Sequence, residues 1–176
     1  GLVVGLVGNA EPRKKLGFAL ECLALASAEI PGFKVSHFGA GGEVLERDLP
    51  QPLVGRFAAH GFVADKDSVY GSLSLLFSPG YHEACPYNVI EAMSYGLPVL
   101  VPDTGLYREL YGIEGGSAAL LFRKDDAADA SAKLRQLLTD RELRARLGVL
   151  GRDLVERRFE VNRANSQTWQ AVLGPH

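Results

Sequence analysis

Two glutamates, Glu83 and Glu91, bracket seven residues inside the stretch P-G-Y-H-E-A-C-P-Y-N-V-I-E-A-M, Pro79 to Met93. The stretch leaves an apolar run, crosses a loop and enters a helical pattern. Proline suits the first helical position, where its missing N–H has no partner to lose, so the helix is predicted to start at Pro86. The free N–H groups of Tyr87 and Asn88 then face the crevice at the strand end. With the helix dipole behind them they form an anion site. Glu91 lies about one turn further in. A carboxylate there can accept two hydrogen bonds from a vicinal diol, as acidic residues do for ribose in dinucleotide folds. Glu83 sits in the loop, nearer to whatever extends beyond the phosphates. Taken singly, such acids more often only meet solvent or complement a helix dipole.

The elements that would hold these residues alternate in type. Leu2 to Gly8 (LVVGLVG) reads as a buried strand. Lys15 to Glu29 reads as a helix with Leu16, Ala19, Leu20 and Leu23 on one face, stopped by Pro31 and Gly32. Further strands are predicted over Phe33–Gly39, Phe57–Val63, Leu73–Ser78, Pro98–Val101 and Ala118–Phe122, with a helix over Tyr87–Tyr95. From Asp126 to the end the pattern is helical, and Thr139-Asp140-Arg141-Glu142 has the spacing of a capping box. Alternating strands and helices predict an α/β fold: a Rossmann-like α/β/α domain whose parallel sheet has about six strands. Ligands bind such sheets at the carboxyl ends of the strands. The loops Gly8–Lys14, Gly39–Gly42, Gly61–Asp65, Pro79–Asn88 and Pro102–Leu106 are therefore the places to look.

Composition narrows the chemistry. The 176 residues suit one domain, residues 1–176, and their formal charge is −2. Without a surplus of positive charge, a nucleic-acid partner is disfavoured. Hydrophobic residues make up 47% and charged residues 23%, the balance of a soluble globule. No apolar run approaches the ~18 residues of a membrane span. Cys22 and Cys85 share no metal-binding spacing, and a reduced, cytoplasmic setting is the expectation.

The spacing Glu83-x7-Glu91, followed by Ala92-Met93, Gly96 and Pro98-Val99, resembles the E-x7-E segment of retaining GT-B glycosyltransferases of glycosyltransferase family 4 (group 1). Gly61-Phe62-Val63 with Asp65 is similar to that family's G-F-V turn before a helix. Pro79 matches the Pro of its P-S pair, with Gly80 in place of Ser. Asp103-Thr104-Gly105 and Glu109 resemble its D-x-G-G-x-x-E turn, with Leu106 for the second Gly. Gly8 and Lys14 resemble its G-R-x4-K loop. The likeness runs from about Leu2 to Phe159.

The resemblance implies the C-terminal, donor-binding half of a two-domain enzyme, its N-terminal acceptor domain being absent from this chain; Gly1 at the start, in place of Met, fits a fragment. Glu91 would hold the ribose hydroxyls, and Glu83 would be the catalytic acid that approaches the donor sugar. Ala84, Cys85, Pro86, Tyr87 and Asn88 would offer backbone groups to the sugar and diphosphate. Lys14 would neutralise the diphosphate, with Gly8, Asn9 and Arg13 in the same loop, and Gly61 and Phe62 would lie at the base. No metal or cofactor is implied: the donor is a nucleotide-diphosphate sugar, and basic residues with helix N-termini replace a metal. The acceptor would be a sugar or lipid-linked molecule met through the missing domain. That leaves peripheral contact with the inner membrane open, through the stretch Arg152–Arg158. Two departures stand out: Asn9 replaces the usual Arg and cannot offset phosphate charge, and Pro86 replaces the more usual Gly. A module of this fold without donor binding, and a sugar-nucleotide epimerase half, are the alternatives. A receiver-like domain is set aside, because the loop after the first strand lacks an acidic cluster.

Other residues read more simply. His37 belongs to strand packing or an edge, His60 to structure or surface, and Cys22 to the core. His82 adjoins Glu83, and Tyr81 and Tyr87 line either the sugar site or the sheet edge. Asp125-Asp126 caps the following helix. Arg152–Arg158 reads as a solvated helix face, and Trp169 anchors the last helix.

Overall fold

A computed structural model describes residues 1–81, 86–114 and 116–164, with side chains for all of these except Ile113 and residues 159–164. Six parallel strands form one sheet: β1 (Val3–Val7), β2 (Lys34–Phe38), β3 (Phe57–Ala59), β4 (Leu75–Phe77), β5 (Val99–Asp103) and β8 (Leu120–Arg123). Their spatial order is β3-β2-β1-β4-β5-β8. Between β5 and β8 lies a small antiparallel pair, β6 (Gly112–Ile113) and β7 (Gly116–Ser117). The helices are α1 (Leu16–Ser27), α2 (Gly42–Arg47), α3 (Lys66–Gly71), α4 (Tyr87–Ser94), α5 (Gly105–Tyr111), α6 (Ala127–Thr139) and α7 (Arg141–Ala164).

Both faces of the sheet are covered, which is why its inner strands are apolar throughout rather than alternating with polar residues. Side chains still alternate between the faces. Val4, Leu6, Leu75, Phe77, Leu100 and Phe122 pack with α1 and α6. Leu76, Val99 and Val101 pack on the other side, with α3, α4 and α5. The predicted apolar face of α1 is buried as expected, with Leu16, Ala19, Leu20 and Leu23 all in the core. Cys22 lies with them, and burial pushes its thiol up to about 12, as befits a packing residue. Gly148 lets α7 lie on the turn after α4: a Cβ there would stand 2.2 Å from the Gly96 carbonyl oxygen.

Four local expectations are corrected. Pro86 is the N-cap of α4 and Tyr87 its first helical residue. Asp140 caps α7, its carboxylate accepting from the Leu143 N–H at 2.8 Å; Thr139 instead donates back to the Arg135 carbonyl inside α6. Asp126 caps α6, but Asp125 does not share that task. The third strand stops at Ala59 because the chain turns at Gly61, whose φ is +66°. Arg152–Arg158 is the solvated face expected, laced by Arg152–Glu156 and Arg157–Asp153 pairs one turn apart. Trp169 lies outside the described residues.

The sheet order reverses direction between β1 and β4. Loops leaving their carboxyl ends diverge there and open a crevice, the usual ligand site of an open α/β sheet.

Candidate functional site

The loop after β1 is tied to the loop after β2. The Gly8 N–H donates to the Phe38 carbonyl at 2.8 Å, and the Ala10 N–H to the Ala40 carbonyl at 2.8 Å. The Asn9 Oδ1 accepts from the Ala40 N–H at 3.0 Å. Asn9 thus uses its acceptor to zip the two loops together. Gly39 is required here, with φ +146° and a Cβ position only 2.3 Å from the Gly8 carbonyl oxygen. His37, fully buried in β2, donates from Nε2 to that same Gly8 carbonyl at 2.8 Å. Burial holds its imidazole below the usual range, aided by His60; the Gly8 carbonyl and Glu43 oppose this without reversing it.

Lys14 ends a short 3-10 turn, Pro12–Lys14, and lies over Gly8: a Cβ on Gly8 would be 3.3 Å from its Nζ. Arg13 is exposed and its Nε pairs with Glu11 at 2.6 Å. Beside Gly8 and Asn9 a cavity of about 170 Å³ opens, rimmed by Phe62, Lys66 and Tyr70. Phe62 is 81% exposed, the barest large apolar side chain described. A larger concavity, about 600 Å³, lies between α1 and α2 and is lined mainly by apolar groups such as Leu20, Ala24 and Val44. The smaller one sits at the strand ends where the polar and charged groups converge, which makes it the candidate site.

Glu91, one turn into α4, has a donor on each oxygen. Oε1 accepts from Lys66 Nζ at 2.6 Å and Oε2 from the Tyr70 hydroxyl at 2.6 Å. Lys66 and Tyr70 are four residues apart on α3, hence on one face. Burial, with Glu91 close by, pushes the Tyr70 hydroxyl far above its ordinary value, so it remains a donor. Asn88 is buried, and its Nδ2 donates to the Val7 carbonyl at 3.0 Å and to Ser78 at 3.2 Å. Its side chain therefore pins the start of α4 to the ends of β1 and β4.

A second cluster flanks the loop after β4. Gly80 packs on the turn after β1, where a Cβ would lie 2.7 Å from the Arg13 carbonyl oxygen. The buried Tyr107 hydroxyl donates to the Gly80 carbonyl at 2.8 Å. The next residue, Tyr81, meets Lys15 and Asp125, which are ion-paired with each other. The Lys15 hydrogen bond holds the Asp125 carboxyl below the usual range. Desolvation works against the Lys15 charge, but the Asp125 and Tyr81 hydrogen bonds outweigh it and raise the amine. Glu83, Ala84, Cys85 and His82 lie outside the described residues. Among the described residues no group of three or more His, Cys, Asp or Glu side chains could hold a metal ion. No helix there is long and apolar enough to cross a membrane.

Gly8, Asn9, Lys14, Phe62 and Glu91 thus gather around one crevice, and Gly61 supplies the turn on which Phe62 stands. Lys66 and Tyr70, which line this crevice, were not among the residues singled out from the sequence, whereas His37 is a packed strand residue as expected and braces the Gly8 carbonyl. The four-residue spacing of Lys66 and Tyr70 was a usable signal; that α3 would face α4 was not written locally.

The model of the glycosyl transferases group 1 family matches residues 1–140. The chain belongs to the glycosyl transferases group 1 family. Sulfoquinovosyl transferase SQD2 of Arabidopsis thaliana is 29% identical over 164 residues, 86% of this chain and 32% of that protein. D-inositol 3-phosphate glycosyltransferase of Nocardia farcinica is 29% identical over 166 residues, 84% of this chain and 35% of its own length. The group 1 chain therefore spans about a third of these curated relatives. The fold recurs in the C-terminal domain of the group 1 protein LpcC of Francisella tularensis. That match has a TM-score of 0.76 at 20% identity, covering 90% of this chain and 86% of that one. It recurs also in Anabaena Alr3699/HepE, solved with UDP-glucose, with a TM-score of 0.80 at 22% identity over 98% of this chain and 48% of that one.

Proposed function

We propose that residues 1–176 are the donor-binding half of a retaining glycosyltransferase of glycosyltransferase family 4. Joined to an acceptor-binding domain, it moves a sugar from a nucleotide-diphosphate sugar to an acceptor hydroxyl with retention at the anomeric carbon. The observation that carries the reading is Glu91: a carboxylate held by Tyr70 and Lys66 beside a cavity at the sheet's switch point. Such a carboxylate accepts from the 2′ and 3′ hydroxyls of a ribose. In this reading Phe62 lies against the base, and Gly8 and Lys14 face the diphosphate. The N–H groups of Tyr87 and Asn88 take its remaining charge at the start of α4. Lys14 and that helix terminus do the work of a metal, so catalysis is metal-independent. Glu83 approaches the donor sugar. Membership of the group 1 family, and likeness to a protein solved with UDP-glucose, support the choice of donor class. The setting is cytoplasmic, with peripheral membrane contact if the acceptor is lipid-linked.

The test is calorimetric titration of UDP, GDP and ADP and their sugar conjugates into the protein, beside Glu91→Ala. One nucleotide is expected to bind. Losing a charge-assisted hydrogen bond of about 1.5–3 kcal/mol should weaken it tenfold or more. If no nucleotide binds at millimolar concentration, the alternative of a module without donor binding takes its place. Asn9, whose acceptor is occupied by Ala40 where the family has Arg, would then be the reason.

A further inference from the structure

Among the described residues, Lys15 and Asp125 are the non-glycine residues with positive φ, at 51° and 61°. They are 110 positions apart in sequence, yet they are ion-paired with each other. Left-handed backbone disfavours a side chain with a Cβ, so such a residue persists where its surroundings hold it. Here the side chains of the two are bound to each other.

Lys15 is the joint between the turn Pro12–Lys14 and α1. Its N–H donates to the Pro12 carbonyl at 3.2 Å, and its own carbonyl accepts from the Ala19 N–H at 3.0 Å. A change of φ at this joint would swing Lys14 relative to α1. Asp125 immediately precedes the N-cap of α6, which packs beside α1 on the same face of the sheet. Tyr81 completes the clamp from the end of β4. Its hydroxyl accepts from Lys15 Nζ at 2.8 Å and donates to Asp125 Oδ2 at 3.0 Å. Its ring lies 4.3 Å from Lys15 Nζ and 4.0 Å from Lys124 Nζ. Three loops, after β1, β4 and β8, are thus tied at one point.

We infer that the Lys15–Asp125 pair is a positioning device that locks the left-handed joint after Lys14 and so holds the Lys14 amine over Gly8, where a diphosphate sits. The inference rests on the proposed reading of Lys14. Lys15 and Asp125 touch no phosphate themselves; they act through Lys14. The reactive end of the donor depends on them, and the nucleoside end does not.

The experiment uses Lys15→Gly, Asp125→Gly and the double variant, since glycine suits both φ values and keeps the turns foldable. The ligands are the nucleoside diphosphate that binds the wild type and its parent nucleoside, with Lys14→Ala run alongside. Each single variant is expected to bind the diphosphate about fivefold more weakly, the upper end of what an exposed ion pair contributes. Nucleoside affinity and thermal midpoint should stay at wild-type values or above. The double variant should lose no more than either single one, because both break the same pair. Wild-type diphosphate affinity in Lys15→Gly, an equal loss of diphosphate and nucleoside, or additive losses would overturn the inference. If the wild type binds no nucleoside diphosphate, or Lys14→Ala binds it undiminished, the underlying reading fails and the inference with it. If Lys14→Ala weakens binding and Lys15→Gly does not, the inference alone fails.

Discussion

The Tyr70 hydroxyl, on a side chain only 1% exposed, donates to Glu91 Oε2 at 2.6 Å and fixes the plane of that carboxylate. Tyr70→Phe removes the donor and keeps the ring in its place against Tyr95. The carboxylate then keeps only Lys66, a long and half-exposed partner, and must be oriented again when ribose binds. A hydrogen bond to a charged group contributes about 1.5–3 kcal/mol. Nucleoside affinity is expected to fall roughly tenfold, measured by calorimetry, with the diphosphate and the bare nucleoside affected alike. Equal loss for both ligands separates this variant from those at Lys15.

The contact between α4 and α7 predicts a stability effect with no bearing on the ligand. Gly148 has room for no side chain against the Gly96 carbonyl. Gly148→Ala should destabilise the protein by about 1–3 kcal/mol, the usual cost of overpacking, despite alanine's better helix propensity. A denaturation midpoint at or above the wild-type value would show that α7 is free to move away from α4.

Acid stability should report on His37. Its folded imidazole resists protonation because it is buried, while in the unfolded chain it titrates normally near 6.5. As pH falls through 6.5, the unfolded state takes up the proton first. Stability is therefore full above that value and is lost as pH falls below it, by up to about 1.4 kcal/mol per pH unit. His37→Gln keeps an amide donor for the Gly8 carbonyl and cannot titrate. Comparing unfolding free energies of the two proteins between pH 7 and pH 5 should show a slope in the wild type that the variant lacks.

Most of the fold was legible because buried parallel strands read as short apolar runs, and six of them appear where such runs occur. The pair β6 and β7 was not, since two-residue strands carry no periodicity. α2 and α5 are helices of six and seven residues, too short to show a helical period. Glu91, Lys14 and Gly8 could be singled out because motif spacing survives in sequence, and they lie close to the same crevice. Lys66 and Tyr70 were missed because their importance comes from α3 facing α4, a relation between segments 21 and 25 residues apart. Lys15 and Asp125 were hidden more deeply. A lysine beside another lysine, and an aspartate beside a helix cap, each have an ordinary local explanation, and only the backbone angles set them apart.

Phe62 gives the most direct test of where the base lies. Its ring is 81% exposed on the cavity rim, carried there by the left-handed turn at Gly61, so the folded protein gains almost nothing from it. Phe62→Ala should leave stability within about 0.5 kcal/mol of wild type, as for other exposed positions. Stacking of a base on an aromatic ring contributes about 1–3 kcal/mol. Nucleoside affinity should therefore fall about fivefold or more in Phe62→Ala and be kept in Phe62→Trp. Pyrophosphate, which has no base, should bind both variants equally. An unchanged nucleoside affinity in Phe62→Ala would place the base away from this rim, and with it the ribose that Glu91 is proposed to hold.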